Sequence, residues 1–228
     1  MVLMSGGNIH GRMLVEAMVK AGVGPALVLN EEGSDRARKL SKFLVNDYDN
    51  PPALNALTDK IRSVPRCDGA EAVQVIAEVA PDYLVLGGYG IMREPILSLA
   101  TPLNAHPGLL PEYRGLDPVL WSVSRRDPVG ATVHVVTEGI DEGPILLRGE
   151  LPWRGAKTLL QLRLQCMRWG AELLARFLRE PGRYPPQQQD ARRAAYHGAF
   201  PQADYAKAGA NLRFYRAADS GNRFVPDA

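Results

Sequence analysis

Three side chains in this sequence, Asn104, His106 and Asp141, could together move an acyl group onto an amine. The first two stand in Asn104-Ala-His106-Pro107-Gly-Leu-Leu-Pro111-Glu-Tyr-Arg114-Gly115 and the third in Glu138-Gly-Ile-Asp141-Glu-Gly143-Pro. An Asn amide can donate to the oxyanion of a tetrahedral intermediate, a role worth about 3 kcal/mol. A His beside it can act as general acid and base, typically contributing about 10²–10⁴ in rate. A carboxylate can orient that imidazole and stabilise its charged form. Asp141 follows His106 by 35 residues, so only the fold can bring them together.

The elements that must position these groups are readable. Tyr83–Leu86 is a short apolar run between Pro81 and Gly87-Gly88, which suits a strand buried on both faces. A second short strand ending near Asn104 would put Asn104 and His106 on one face, because strand side chains alternate. Pro107 ends that strand and Gly108 keeps the backbone open for a ligand. Ala131–Thr137 reads as a further buried strand that delivers a loop crowded with Glu138, Asp141 and Glu142 and closed by Gly143-Pro144. Taken singly, a turn Asn, a core His and a turn-capping Asp are the ordinary explanations. The long ordered string from Pro107 to Gly115 favours the catalytic one.

Around these, strands and helices alternate. Met1–Met4 is a strand, Ile9–Gly22 an amphipathic helix with Gly22 as its C-cap, Pro25–Asn30 a strand and Ser34–Val45 a helix with a polar face. Asn50–Leu57 is a Pro-rich connection, and Asp68-Gly-Ala-Glu71 reads as a capping box opening a helix that Pro81 stops. A helix is expected over Pro118–Arg125 and a long one from Thr158, capped through Gln161, to about Arg179. Its stripe of Leu160, Leu164, Met167, Ala171, Leu174 and Leu178 is that of a helix packed on its own core. This alternation predicts a doubly wound, mostly parallel α/β sheet, whose ligands bind at the carboxyl ends of the strands.

The chain has 228 residues, 46% of them hydrophobic, enough for a sizeable core. No apolar run approaches a membrane span and no signal peptide is expected. Cys67 and Cys166 have no metal-ligand spacing, the four histidines are scattered, and no metal or disulfide is expected. The first 150 residues carry a net −5 and the remainder +7, which suits an anionic small substrate better than nucleic acid, since basic residues are not interleaved with aromatics. The turn Ser5-Gly6-Gly7-Asn8 enters a helix N-terminus, a ready anion site, but is not a dinucleotide fingerprint.

From about Pro81 to Pro152 the sequence resembles the folate-dependent formyltransferases, the family of glycinamide ribonucleotide, methionyl-tRNA and sugar N-formyltransferases and of formyltetrahydrofolate hydrolase. The resemblance implies a Rossmann-like catalytic domain over residues 1–180 with a C-terminal extension over 181–228. It implies Asn104, His106 and Asp141 as the triad, with His134 in support. The co-substrate would be 10-formyltetrahydrofolate, its pterin held by Gly88, Tyr89, Gly90, Ile91, Met92, Val136, Glu138, Gly139 and Ile140. Ser5, Gly6, Gly7, Asn8, Arg114 and Asp117 would face the amine.

Purine-pathway members carry a contiguous Gly-Ser-Asn in the first loop, which is missing here, and Arg114-Gly-Leu-Asp-Pro118 resembles the tRNA and sugar branches. The tRNA branch adds a C-terminal domain for which the sequence leaves little room. The expected reaction is therefore N-formylation of a small soluble amine in the cytoplasm, an amino-sugar derivative first, then glycinamide ribonucleotide, with water as acceptor the nearest rival. The tail patch Arg192, Arg193, Tyr196, His197 and Phe200 is expected to dock on the main domain and border the acceptor side or, the favoured reading, a homodimer interface.

Overall fold

The computed structural model describes residues 1–5, 8–31, 51–88, 92–152 and 155–217. Its chain forms two compact units, Met1–Asn104 with Val135–Glu138, and Ala105–His134 with Gly139–Ala228.

The first unit holds strands β1 (Val2–Ser5), β2 (Leu27–Glu31), β3 (Ile61–Val64), β4 (Tyr83–Gly87) and most of β5 (Thr101–His106), in the order β3-β2-β1-β4-β5. Every pairing is parallel, and β1 sits centrally with Leu3 opposite Val28 on one side and Val85 on the other. Alternation sends Val2, Met4, Leu29, Leu84 and Leu86 to one face, where helix α2 (Ala70–Val79) covers them with Ala72, Val75 and Ile76. Helix α1 (Ile9–Lys20) presses on the other face so closely that a Cβ on Gly87 would stand 3.0 Å from the Gly11 Cα and 2.9 Å from the Met4 carbonyl. The order reverses between β1 and β4, the switch point at which such sheets bind ligands.

In the second unit the end of β5 is followed in sheet order by β7 (Gly130–Val135) and β8 (Ile145–Glu150), which complete the seven strands. These last two are antiparallel, which gives the mostly parallel sheet its exception. Val133 faces Leu147 whereas His134 faces Ile145, so Leu146 is an extra residue and the ladder is bulged at His134. Bulges of this kind re-aim a side chain. Helix α3 (Pro118–Arg125), the long α4 (Leu159–Arg179) and α5 (Tyr205–Ala217) enclose a core of Val119, Leu120, Val123, Leu162, Cys166, Phe200, Ala208 and Leu212. A two-strand parallel ladder joins β6 (Arg114–Gly115) to β9 (Tyr196–His197).

Several expectations are corrected. The connection before α2 contains the edge strand β3, Ile61-Arg-Ser-Val64, whose two middle residues are exposed. No capping box opens α2: its N-cap is Gly69, and the Asp68 carboxylate is taken by the Arg66 guanidinium at 2.7 and 2.8 Å. The box on α4 is present, with Thr158 and Gln161 reciprocally bonded. Leu160 is exposed on that helix while Leu162, Cys166 and Leu173 are buried, because α4 is covered on more than one stripe. The tail after Pro181 carries a strand and a 13-residue helix where only one ordered patch is expected. The helix expected over Ser34–Val45 lies outside the described residues. No described helix is long and apolar enough to cross a membrane. Cys67 and Cys166 are free, buried thiols, and burial pushes the first up to about 12.

Candidate active site

Strand β5 carries Asn104 and His106 two positions apart, hence on one face. His106 is 4% exposed. Its Nε2 lies 2.7 Å from the Tyr113 carbonyl, which can only accept, so Nε2 carries the hydrogen. Nδ1 then lies 3.5 Å from Oδ2 of Asp141. Oδ1 of the same carboxylate lies 3.5 Å from Nε2 of His134, the side chain at the β7–β8 bulge. Two imidazoles therefore share one carboxylate, and their rings meet edge to face with centroids 6.4 Å apart.

Asp141 sits in the left-handed region with φ of 54°, a conformation Asp tolerates better than most residues with a side chain. That turn aims its carboxylate back at Gly115, whose backbone N–H donates to Oδ2 at 2.8 Å. Burial acts to raise the Asp141 pKa, but His106, His134 and the Gly115 amide outweigh it and hold the carboxyl well below the ordinary carboxylate range. For His106, burial dominates and lowers the pKa, His134 adds to the lowering, and Asp141 and the Tyr113 carbonyl oppose it. The resting site is thus an ionised carboxylate beside a neutral imidazole whose unprotonated Nδ1 faces it. A proton taken at Nδ1 would be met by a negative charge already in place.

The remaining anticipated residues are spread more widely. Ser5 ends β1, while Gly6 and Gly7 lie outside the described residues. Asn8 is the N-cap of α1: its Oδ1 accepts from the Gly11 N–H at 3.0 Å and its Nδ2 donates to the Gly88 carbonyl at 3.1 Å. Gly88 has φ of +70°, Met92 is buried in the first unit's core, and Val136 packs against that core. Tyr89, Gly90 and Ile91 lie outside the described residues. Glu138 is exposed, and Gly139 and Ile140 follow it into the Asp141 loop, with Ile140 42% exposed.

Arg114 on β6 donates from Nε and Nη2 to Gln189 and from Nη1 to Glu142. Asp117, at φ of 49°, accepts from Arg163 at 2.9 Å and from the Phe200 amide at 3.1 Å. Beside the Asp141 loop a cavity of about 450 Å³ is lined by Arg114, Ile140, Glu142, Ala194, Ala195 and Tyr196. Among the described residues no cluster of three or more His, Cys, Asp or Glu could hold a metal ion. His134 is expected in a supporting role, whereas no pattern in the sequence marks Gln189 or the Gly115 amide.

The fold and site define a class: a doubly wound α/β protein whose strand-end loops gather a buried imidazole and an ionised carboxylate. The chain belongs to the formyl transferase family, whose model matches residues 1–177. A methionyl-tRNA formyltransferase of Synechococcus sp. (strain JA-3-3Ab) is 34% identical over 142 residues, 59% of this chain and 44% of that protein. The match therefore spans less than half the length of that curated relative. Among solved structures, a sugar N-formyltransferase from Shewanella sp FDAARGOS_354 has a TM-score of 0.62 at 21% identity, covering 86% of this chain and 76% of that one. A glycinamide ribonucleotide transformylase from Symbiobacterium toebii has a TM-score of 0.56 at 22% identity, covering 83% and 92% respectively. These two likenesses speak for the fold.

Proposed function

We propose that the chain transfers the formyl group of 10-formyltetrahydrofolate to a primary amine of a small soluble molecule in the cytoplasm. The observation that carries this is the His106 Nδ1 facing the ionised Asp141 at 3.5 Å in a chain of this family. The amine nitrogen attacks the formyl carbon, and the carbonyl oxygen becomes an oxyanion that the Asn104 amide stabilises, joined by His106 once its Nδ1 is protonated. His106 accepts the proton leaving the nitrogen, and Asp141 balances the imidazolium so formed. Collapse of the intermediate breaks the bond to the folate nitrogen, which leaves with the proton that the His106 imidazolium gives up. For the pterin we propose backbone groups of the segments 88–92 and 136–140.

An amino-sugar derivative is the acceptor we favour. The cavity beside Asp141 supports it: the Tyr196 ring, 60% exposed, offers a face for a sugar ring, and Glu142 offers a carboxylate for an ammonium group. Within the second unit, Arg114 and Asp117 are proposed to border the acceptor. Incubation with 10-formyltetrahydrofolate and a panel of amino-sugar nucleotides, amino acids and glycinamide ribonucleotide tests this. Formylation of glycinamide ribonucleotide with kcat/KM above about 10⁴ M⁻¹s⁻¹ while amino-sugar nucleotides stay inert would replace the sugar reading with the purine one. Tetrahydrofolate release without any amine would identify a hydrolase.

A further inference from the structure

We propose that Gln189 is a positioning residue that holds the Asp141 loop against His106, resting on the catalytic reading above. Gln189 lies beyond residue 177, where the family match ends. Its Nε2 donates to the Asp141 carbonyl at 2.8 Å and to the Gly143 carbonyl at 2.7 Å. Its Oε1 accepts from Arg114 Nε at 3.0 Å and Nη2 at 2.8 Å. Both donors and both acceptor sites of the amide are therefore in use, which leaves it a single orientation.

The segment around it is tied down as well, because Gln187 and Ile145 exchange backbone hydrogen bonds at 2.8 Å in both directions. Asp141 is thus held twice: by its carboxylate through Gly115, and by its backbone through Gln189. The second hold matters because the residue is left-handed, and the direction of its carboxylate depends on that backbone conformation. Gln189 contacts Arg114, Asp141 and Gly143 rather than the His106 imidazole, so it acts through Asp141.

The test is Gln189→Met, which keeps the length and removes every polar atom, compared with Asp141→Asn and the double variant. His106 is followed by ¹H–¹⁵N NMR of the imidazole through a pH titration, a readout that does not depend on any acceptor. Gln189→Met should shift the His106 titration downward, in the same direction as Asp141→Asn, and should add nothing in the Asp141→Asn background. An unchanged titration, or an equal shift in both backgrounds, overturns the proposal. Should Gln189→Met not fold, Gln189→Glu keeps the acceptors for Arg114 and loses both donated bonds. Hydrogen exchange over residues 138–145 should then rise several-fold, and wild-type protection there overturns it. In turnover of 10-formyltetrahydrofolate, Gln189→Met should lower kcat about tenfold with KM for the folate unchanged. A wild-type protein without formyl transfer would refute the catalytic reading while leaving the titration result to decide the role of Gln189.

Discussion

His106 offers its two ring nitrogens to two different oxygens, and only the one facing Asp141 is open to a proton at rest. His106→Ala and Asp141→Asn are therefore expected to reduce kcat by about 10²–10⁴ with little change in folate affinity, since in the proposed mechanism both act on the proton in flight. Asn104→Ala should cost about 10²–10³ in kcat for the same reason. Steady-state turnover beside equilibrium folate binding checks all three, and near-wild-type turnover of His106→Ala would sink the assignment. A second expectation concerns acid. The folded Asp141 carboxyl titrates below its unfolded value, so the folded chain binds fewer protons as pH falls. Its stabilisation is full above the ordinary Asp value, about 4, and is lost as pH falls through the folded one. Asp141→Asn, which suits the left-handed backbone, should lower the urea midpoint more at pH 7 than at pH 3. At this scale the three side chains proposed for the chemistry are legible because Asn104 and His106 stand in a long ordered string and Asp141 in a short acidic loop closed by Gly143-Pro144. The sequence could not disclose Gln189, because an amide in a Gln-rich tail has no local pattern and acquires its meaning from a loop 48 residues away.

Among the elements, helix α4 depends on its reciprocal cap. Thr158→Ala should cost about 1 kcal/mol, read from urea unfolding, and an unchanged midpoint would mean the box contributes nothing. The β6–β9 ladder is a more demanding case. Gly115 has φ of +93°, and a Cβ there would stand 2.3 Å from the His197 carbonyl. Gly115→Ala is therefore expected to part β6 from β9, shift the amide that donates to Asp141, and reduce kcat about tenfold. Unaltered turnover would show that the amide tolerates displacement. Helix α1 was legible from its apolar periodicity, although its C-cap is Ala21 rather than Gly22, and α4 was legible from its Thr158–Gln161 box. Strand β3 was obscured by its Pro-rich approach, and β9 has only two residues and exists through its partner. The capping pattern at Asp68 misled because a neighbouring arginine competes for the carboxylate more strongly than a backbone amide.

For the whole molecule, the tail is structural in the second unit. His197 lies between the rings of Tyr113 and Trp121, with centroids 5.3 and 5.1 Å away, and Phe200 packs edge-on to Trp121. Helix α5 is tied to α3, where Asn211 Nδ2 donates to the Val123 carbonyl at 3.0 Å. Phe200→Ala should cost about 3–5 kcal/mol in urea unfolding, because a 6% exposed ring leaves a cavity in the core. Removing residues 185–228 should uncover Val119, Leu120 and Val123 and give a species that binds hydrophobic dye. A monomeric, dye-silent truncation with wild-type kinetics would show the tail to be dispensable. The parallel sheet was legible from alternating elements of suitable length. The antiparallel β7–β8 pair was not, since strand direction is set by the short Asp141 loop and by tertiary pairing.

The bond from Gln189 to Asp141 has a consequence for the protein's synthesis. The two residues are 48 positions apart, and Asn211 follows Val123 by 88. A ribosome adding about 5–20 residues per second finishes His106 and Asp141 several seconds before the residue that latches the loop. A nascent chain therefore carries His106 and Asp141 for some time without the amide that bonds the Asp141 backbone. Contacts so distant in sequence carry a high loop-closure cost and form late in folding.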